Sequence, residues 1–153
     1  MANIRYVGLD VHAETFAVAV ADRDGGAPVF VGKFPYGVAI VRKVLGKLGS
    51  PEDLRVAYEA GPTGYGLYRE LAAAGIECHV VAPTLIPVKT GDKVKTDRRD
   101  AEKLARCLRS GDLTDVKVVL ERIAQMLTKL VKVHQERPGS GAGSGTGDFE
   151  DRP

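Results

Sequence analysis

The chain has 153 residues, with 22 lysines and arginines against 20 aspartates and glutamates, so its formal net charge is +2. Hydrophobic residues make up 44% and charged residues 27%, as expected of one globular domain with a buried core. The small net charge excludes a polycation that coats nucleic acid through bulk charge. Its apolar stretches are strand-length and its first residues lack a signal-peptide pattern, so we expect a cytoplasmic protein with no membrane partner.

The chain contains two cysteines, Cys78 and Cys107, which lie far apart in the sequence. Two cysteines are too few for a disulfide framework or a zinc knuckle. We therefore expect two reduced thiols, buried or half-buried, as is typical of a cytoplasmic protein.

The first half of the chain is predicted to consist of strands separated by turns and helices. Two β-rich runs at 6–11 and 15–21 flank a short polar turn, which predicts a hairpin. The remaining predicted elements are a strand at 28–34, a helix at 38–48, a strand at 54–58, a helix at 64–74 with Thr63 as N-cap, a strand at 76–82 and a helix at 96–110. A hairpin followed by strand–helix–strand units predicts an α/β fold with a mixed sheet flanked by helices.

The C-terminal part divides into a helix and a tail. Apolar residues between 116 and 134 recur at helical spacing, which predicts an amphipathic helix that either packs on its own domain or pairs with another chain. Beyond it the sequence is rich in glycine and serine, which predicts a disordered tail. We therefore expect a folded domain at 1–114, a helix at 115–137 and a tail at 138–153.

Four carboxylates fall where ligands gather in such sheets. Asp10 lies inside an apolar strand, Glu59 follows a strand, and Asp97 and Asp100 lie three residues apart at a helix start. Each has an ordinary alternative explanation: a turn-forming acid, a solvated strand end, or acids favoured by the helix dipole. Together they predict a catalytic site for two Mg²⁺ ions, with Mn²⁺ as the alternative ion.

Basic residues surround the last two acids. The segment 89–109 contains eight basic and four acidic residues, a net charge of +4. A basic stripe beside an acidic metal site is typical of enzymes that act on phosphodiesters, while a solvated helix face is the alternative. The predicted nucleic-acid-binding residues are Lys89, Lys93, Lys95, Arg98, Arg99, Lys103 and Arg106. We expect His12 to fill the hairpin turn, with a role beside the metal ions as the alternative.

Three segments carry a resemblance to a known family. They are YVGLDVHAE at 6–14, YEAGPTGY at 58–65 and KTDRRDAEKLA at 95–105. In this order they resemble the DEDD transposases of the bacterial insertion-sequence "one-ten" family, which includes the Piv-type DNA invertases. The resemblance covers about residues 4–114 and implies a RuvC-like, ribonuclease H-like fold. It also implies a magnesium-binding tetrad of Asp10, Glu59, Asp97 and Asp100.

The resemblance also implies a function. Family members are DNA recombinases that excise and insert their element, several with a structured guide RNA, so we expect DNA, a guide RNA and a second copy of the chain as partners. Members continue into a coiled coil and a domain with a catalytic serine, and here the similarity ends near Thr114. We therefore expect a truncated or frameshifted transposase. The alternatives are a non-catalytic regulator that binds RNA or DNA or pairs with full-length transposase, and a Holliday-junction resolvase-like nuclease.

Overall fold

The computed structural model describes residues 3–61, 64–82 and 96–136. Every predicted strand and helix is present within a few residues of its expected bounds. In chain order, the elements are β1 (Arg5–Val11), β2 (Thr15–Asp22), β3 (Val29–Pro35), α1 (Val38–Leu48), a 3-10 turn (Pro51–Asp53), β4 (Leu54–Glu59), α2 (Gly66–Ala73), β5 (Glu77–Val81), α3 (Asp97–Ser110) and α4 (Val116–Glu136).

The five strands form one mixed sheet in the order β3-β2-β1-β4-β5. β1 pairs antiparallel with β2, and β2 pairs antiparallel with β3, so the first three strands form a meander. β4 and β5 are added in parallel on the other side of β1, because a helix connects each of these strands to the one before it. This strand order confirms the predicted ribonuclease H-like fold class.

The two faces of the sheet are covered differently. One face carries large apolar side chains such as Leu9, Phe16 and Tyr58, which form the main core with α1 and α2. The other face carries small residues of β2, which pack against Ala101 and Ala105 of α3. Alternation along each strand produces this division, since successive side chains point to opposite faces.

α3 lies very close to the central strand β1. A Cβ atom at Gly8 would collide with the carbonyl oxygen of Ala101 and would lie 2.6 Å from the amide nitrogen of Ala105. Only glycine permits this approach of a helix backbone to a strand. Gly8 therefore determines how closely the start of α3 approaches the end of β1.

The helix ends agree in part with the predictions. The Thr96 hydroxyl caps α3 by accepting a hydrogen bond from the Arg99 amide at 3.2 Å. α2 begins at Gly66 with Tyr65 in the N-cap position, two residues later than predicted. The predicted cap Thr63 lies outside the described residues. Cys78 and Cys107 are both buried and free, as expected.

The chain divides into two units, Met1–Leu120 and Glu121–Pro153. In the second unit, the predicted amphipathic helix is confirmed as α4, and its residues 121–136 are all exposed. The predicted tail at 138–153 lies outside the described residues. Within the described ranges, no helix combines the length and the apolar composition that crossing a membrane requires.

Candidate metal centre

Among the described residues, Asp10 is the one that is both charged and buried. It lies near the end of β1, between Leu9 and Val11, and is 6% exposed. Successive side chains of β1 point to opposite faces of the sheet, so Asp10 points to the face that α3 covers, as Gly8 does. A carboxylate at such a position is stable only when it has a proton, a hydrogen bond or a cation as partner.

The start of α3 lies over Asp10 and brings two further acids. Asp97 and Asp100 occupy the first turn of α3, where carboxylates are stabilised by the helix dipole. Both charges act on the Asp10 carboxyl and raise its pKa. At a spacing of three residues, both acids lie on one side of the helix.

His12 joins two of these acids. Its Nε2 atom lies 3.0 Å from Oδ2 of Asp10 and 3.2 Å from Oδ1 of Asp97. The hairpin turn holds the histidine in place, because the His12 amide donates a hydrogen bond to the Thr15 carbonyl at 2.8 Å. The side chain is half exposed, so the point between the two carboxylates is open to solvent.

The pKa values of these groups differ in direction and in cause. Burial raises the pKa of Asp10 from 3.8 to about 6, against the hydrogen bond and charge of His12, and the charges of Asp100 and Asp97 raise it further. The hydrogen bond to Asp10 raises the pKa of His12. The hydrogen bond from Lys33 lowers the pKa of Asp97. The buried acid thus holds a proton readily while the exposed acid stays charged.

The donor atoms fit a divalent cation. One ligand atom each from Asp10, His12 and Asp97 can be chosen so that all lie within 4.8 Å of one another. Two carboxylate oxygens and one imidazole nitrogen suit a divalent ion of the hard or borderline class. We call these three residues the acid cluster.

The predicted tetrad is brought to one end of the sheet. Glu59 is the last residue of β4, and the pairing of Leu9 with Tyr58 places Glu59 level with Asp10 on the adjacent strand. Glu59 and Asp10 therefore share the α3 face of the sheet. Among the described residues, the group of three converging ligands does not include Glu59 or Asp100. The assignment of all four acids as ligands stays a prediction.

The predicted nucleic-acid-binding residues have different surroundings. Arg98 donates to Glu102 at 3.0 Å, and its guanidinium lies 5.2 Å from the centre of the Phe30 ring. Arg99 and Arg106 are exposed and Lys103 is half-buried. Lys89, Lys93 and Lys95 lie outside the described residues. Their role in binding nucleic acid stays a prediction.

Sequence reasoning missed Lys33 and undervalued His12. The Lys33 ammonium lies 2.6 Å from Oδ2 of Asp97, across 64 positions of sequence. No local pattern marks such a contact, since it depends on the pairing of β3 with β2. His12 was expected to fill a turn, yet its spacing of two from Asp10 was a usable signal, because the hairpin folds it back over the strand.

A family model and several curated relatives match the chain. The model of the IS110-type DEDD family, described as "Transposase", matches residues 7–137. The putative transposase y4qE of Sinorhizobium fredii is 48% identical over 113 residues, which is 72% of this chain and 29% of that protein. The transposase for insertion sequence element IS1533 of Leptospira borgpetersenii is 41% identical over 106 residues, covering 69% of this chain and 31% of that protein.

Solved structures with similar folds include two nucleic-acid enzymes. T. thermophilus RuvC in complex with Holliday junction substrate has a TM-score of 0.45 at 12% identity, covering 73% of this chain and 99% of that chain. The large terminase nuclease from thermophilic phage G20c has a TM-score of 0.40 at 20% identity, covering 72% and 56%. The strand order β3-β2-β1-β4-β5 itself identifies the fold class.

The matches with relatives and with the family model cover different shares of the proteins compared. The chain spans about a third of the length of the curated relatives that it matches, 29% of one and 31% of the other. The family model, in contrast, covers most of the chain, including the acid cluster and all of α3. The chain therefore belongs to the family of DEDD transposases of the IS110 type.

Proposed function

We propose that this chain is the metal-dependent catalytic domain of a transposase, which cleaves and transfers DNA strands when an insertion sequence moves. The observation that supports this most directly is the acid cluster, where a buried strand aspartate and a helix aspartate converge on one point. Membership of the transposase family supplies the class of reaction.

We infer that Asp10, Glu59, Asp97 and Asp100 together hold two Mg²⁺ ions. A divalent ion held there would stabilise the charge on the phosphate and polarise the attacking oxygen. The protein's own contribution is orientation: Asp10 is fixed by its strand, and the two aspartates of α3 are fixed by the first helical turn. Because the pKa of Asp10 is raised to about 6, binding of an ion releases its proton in that pH range.

Nucleic acid is the proposed substrate and partner. Basic residues before and along α3 would contact the phosphate backbone, because contacts of this kind position a strand without reading its sequence. A guide RNA from the element is the second nucleic-acid partner that we propose. The residues proposed for these contacts are Lys89, Lys93, Lys95, Arg98, Arg99, Lys103 and Arg106.

Ion binding is the first test of this proposal. We expect millimolar Mg²⁺ or Mn²⁺ to raise the melting temperature of the chain, because an ion that binds only the folded state stabilises it. Asp10→Asn should abolish the effect. Asp115→Asn is the matched control, since Asp115 is a partly buried acid that also contacts a histidine and whose carboxylate lies outside the acid cluster. An equal ion effect in Asp10→Asn and in the unmodified chain would contradict the metal centre.

Cleavage is the second test. We expect the chain to nick labelled single-stranded or branched DNA only when a divalent ion is present, with at least a hundredfold loss in Asp10→Asn, as for the loss of a group that stabilises the transition state. Activity that is retained in EDTA would contradict the proposal. Activity that persists in Asp10→Asn would contradict the role of Asp10.

A non-catalytic regulator is the second candidate function, and one observation favours it. α4 exposes large apolar side chains, with fractional exposures between 47% and 63%. A solvent-exposed apolar helix face of this kind is suited to pairing with a second helix. The residues are Leu120, Ile123, Met126, Leu127, Leu130, Val131 and Val133. Specific RNA binding and self-association without ion-dependent cleavage would favour this function over the first.

A further inference from the structure

Lys33 lies in the same row of side chains as Asp10. In the sheet, Asp10 of β1 is opposite Ala17 of β2, and Ala17 is opposite Lys33 of β3. Residues that are directly opposite in antiparallel strands share one face, so all three point towards α3. Ala17, which lies between the other two, is small and fully buried. The lysine side chain reaches from the edge strand to the start of α3, where its ammonium contacts Asp97.

Lys33 and His12 contact different carboxylate oxygens of Asp97. The Lys33 ammonium lies 2.6 Å from Oδ2, whereas His12 lies 3.2 Å from Oδ1. Oδ1 thus faces the point shared with Asp10, and Oδ2 faces the edge of the sheet. The Lys33 side chain is about half exposed, and Asp97 is one-third exposed.

The charge of Lys33 opposes one ligand of the proposed site and favours another. A divalent cation bound at Asp97 would lie within a few ångströms of the ammonium, where like charges repel even in a solvated setting. A phosphate oxygen at the same place would attract it. An ammonium carries three donors, and its ion pair with Asp97 uses one.

We propose that Lys33 is a residue that changes partner: it pairs with Asp97 in the ion-free protein and contacts a non-bridging oxygen of the nucleic-acid phosphate once an ion occupies the acids. This inference rests on the proposed metal centre. It assigns to β3 a part in substrate binding, so the site extends from the strand ends to the sheet edge.

Lys33→Met tests the exchange because it should change two affinities in opposite directions. Without nucleic acid, calorimetric titration with Mn²⁺ should show binding about three- to tenfold tighter, since a competing cation is removed. The affinity for a short DNA duplex is measured with Ca²⁺, so that the DNA binds without being cleaved. It should fall about three- to tenfold. The salt dependence of that affinity should lose about 0.9 in the slope of log K against log salt, the equivalent of one phosphate contact.

Two control variants separate this role from a structural one. Lys33→Arg keeps the charge and should stay close to the unmodified chain in both titrations. Lys43→Met removes an exposed lysine of α1, the helix on the other face of the sheet, and should change neither affinity. Melting curves of all variants show whether each has folded.

The outcomes distinguish the two proposals. If Lys33→Met weakens Mn²⁺ binding, or leaves the affinity for DNA unchanged, the partner exchange is wrong while the metal centre stands. If the unmodified chain binds neither Mn²⁺ nor DNA, the proposed function fails and the role of Lys33 fails with it.

Discussion

Two histidines of this chain contact two carboxylates each, with opposite geometry. In the acid cluster, a single atom, Nε2 of His12, lies 3.0 Å from Asp10 and 3.2 Å from Asp97. On β5, the two ring nitrogens of His79 serve different acids: Nε2 lies 2.8 Å from Glu77 and Nδ1 lies 3.1 Å from Asp115. We call the second arrangement the His79 bridge.

The geometry of the two groups decides which of them can hold an ion. In the acid cluster, the carboxylates converge on one point, so a cation placed there contacts both at once. In the His79 bridge, the carboxylates lie on opposite sides of the imidazole ring, so no single ion replaces it. One histidine and two carboxylates therefore form a ligand set in one place and a tether in the other.

The tether has its own structural role. Asp115 accepts a hydrogen bond from the Lys117 amide at 2.7 Å, so its carboxylate caps the start of α4 while it also contacts His79. Glu77 is held in turn by Arg55 at 2.8 Å on the neighbouring strand. The His79 bridge thus connects the edge of the sheet to the beginning of the last helix.

Gly8→Ala should have the largest effect of the variants considered, because the acid cluster depends on α3 lying against β1. The new Cβ would meet backbone atoms of Ala101 and Ala105, which cannot rotate away. We expect a loss of about 3 kcal/mol or more in the free energy of unfolding, at the upper end for overpacking. Ion-dependent stabilisation should disappear as well, since Asp97 would move away from Asp10.

The matched control for this variant is Gly46→Ala. Gly46 lies in α1, and a Cβ there would meet no atom within 4 Å. Because alanine favours a helix over glycine, this variant should gain about 1 kcal/mol. Chemical denaturation measures both changes. A stable Gly8→Ala chain with an intact ion effect would show that α3 does not depend on this close approach.

The stability of the ion-free chain should depend on pH through Asp10. The pKa of Asp10 is raised from 3.8 to about 6 in the folded chain, so the folded state binds this proton more tightly than the unfolded state does. The resulting stabilisation is complete below about pH 4 and is lost as the pH rises through about 6. Without ions, it amounts to about 3 kcal/mol, from 1.36 kcal/mol per pKa unit.

Asp10→Asn should remove this dependence. The difference in unfolding free energy between the unmodified chain and Asp10→Asn, measured without ions, should change by about 2 kcal/mol in favour of the variant between pH 4 and pH 7. The raised pKa of His12 acts in the same direction, since its stabilisation is also lost as the pH rises. A difference that stays constant over this range would show that Asp10 is ionised in the ion-free fold.

Much of this architecture could be predicted from the sequence, because the signals are local. The apolar run around Leu9 predicts a strand, and the apolar spacing at 38–48 predicts a helix, each from a few neighbouring residues. The acids could be placed at one sheet end for the same reason, since strand ends and helix starts are local features. The start of α2 at Gly66 was missed because Tyr65, and not the predicted Thr63, occupies the N-cap position.

The contacts across the sheet could not be predicted in this way. Lys33 reaches Asp97 only because β3 pairs with β2 in one register, and that register shifts between Val18 and Ala19. A slip of one residue would turn Lys33 to the other face. His79 likewise meets Asp115 only after α3 has returned the chain to the edge of β5. Such partners are set by topology, which individual residue patterns do not encode.

His79→Val has the smallest expected effect and tests directly whether the His79 bridge binds an ion. Valine suits a strand and removes both hydrogen bonds of the bridge, so we expect a loss of about 1 kcal/mol in the free energy of unfolding. The increase in melting temperature caused by Mn²⁺ should be unchanged, because the acids of the bridge do not converge on one point. If His79→Val reduced the Mn²⁺ effect as strongly as Asp10→Asn, the distinction between a converging ligand set and a tether would be wrong. A loss of stability with the full ion effect retained would show that geometry, and not residue composition, separates the two groups.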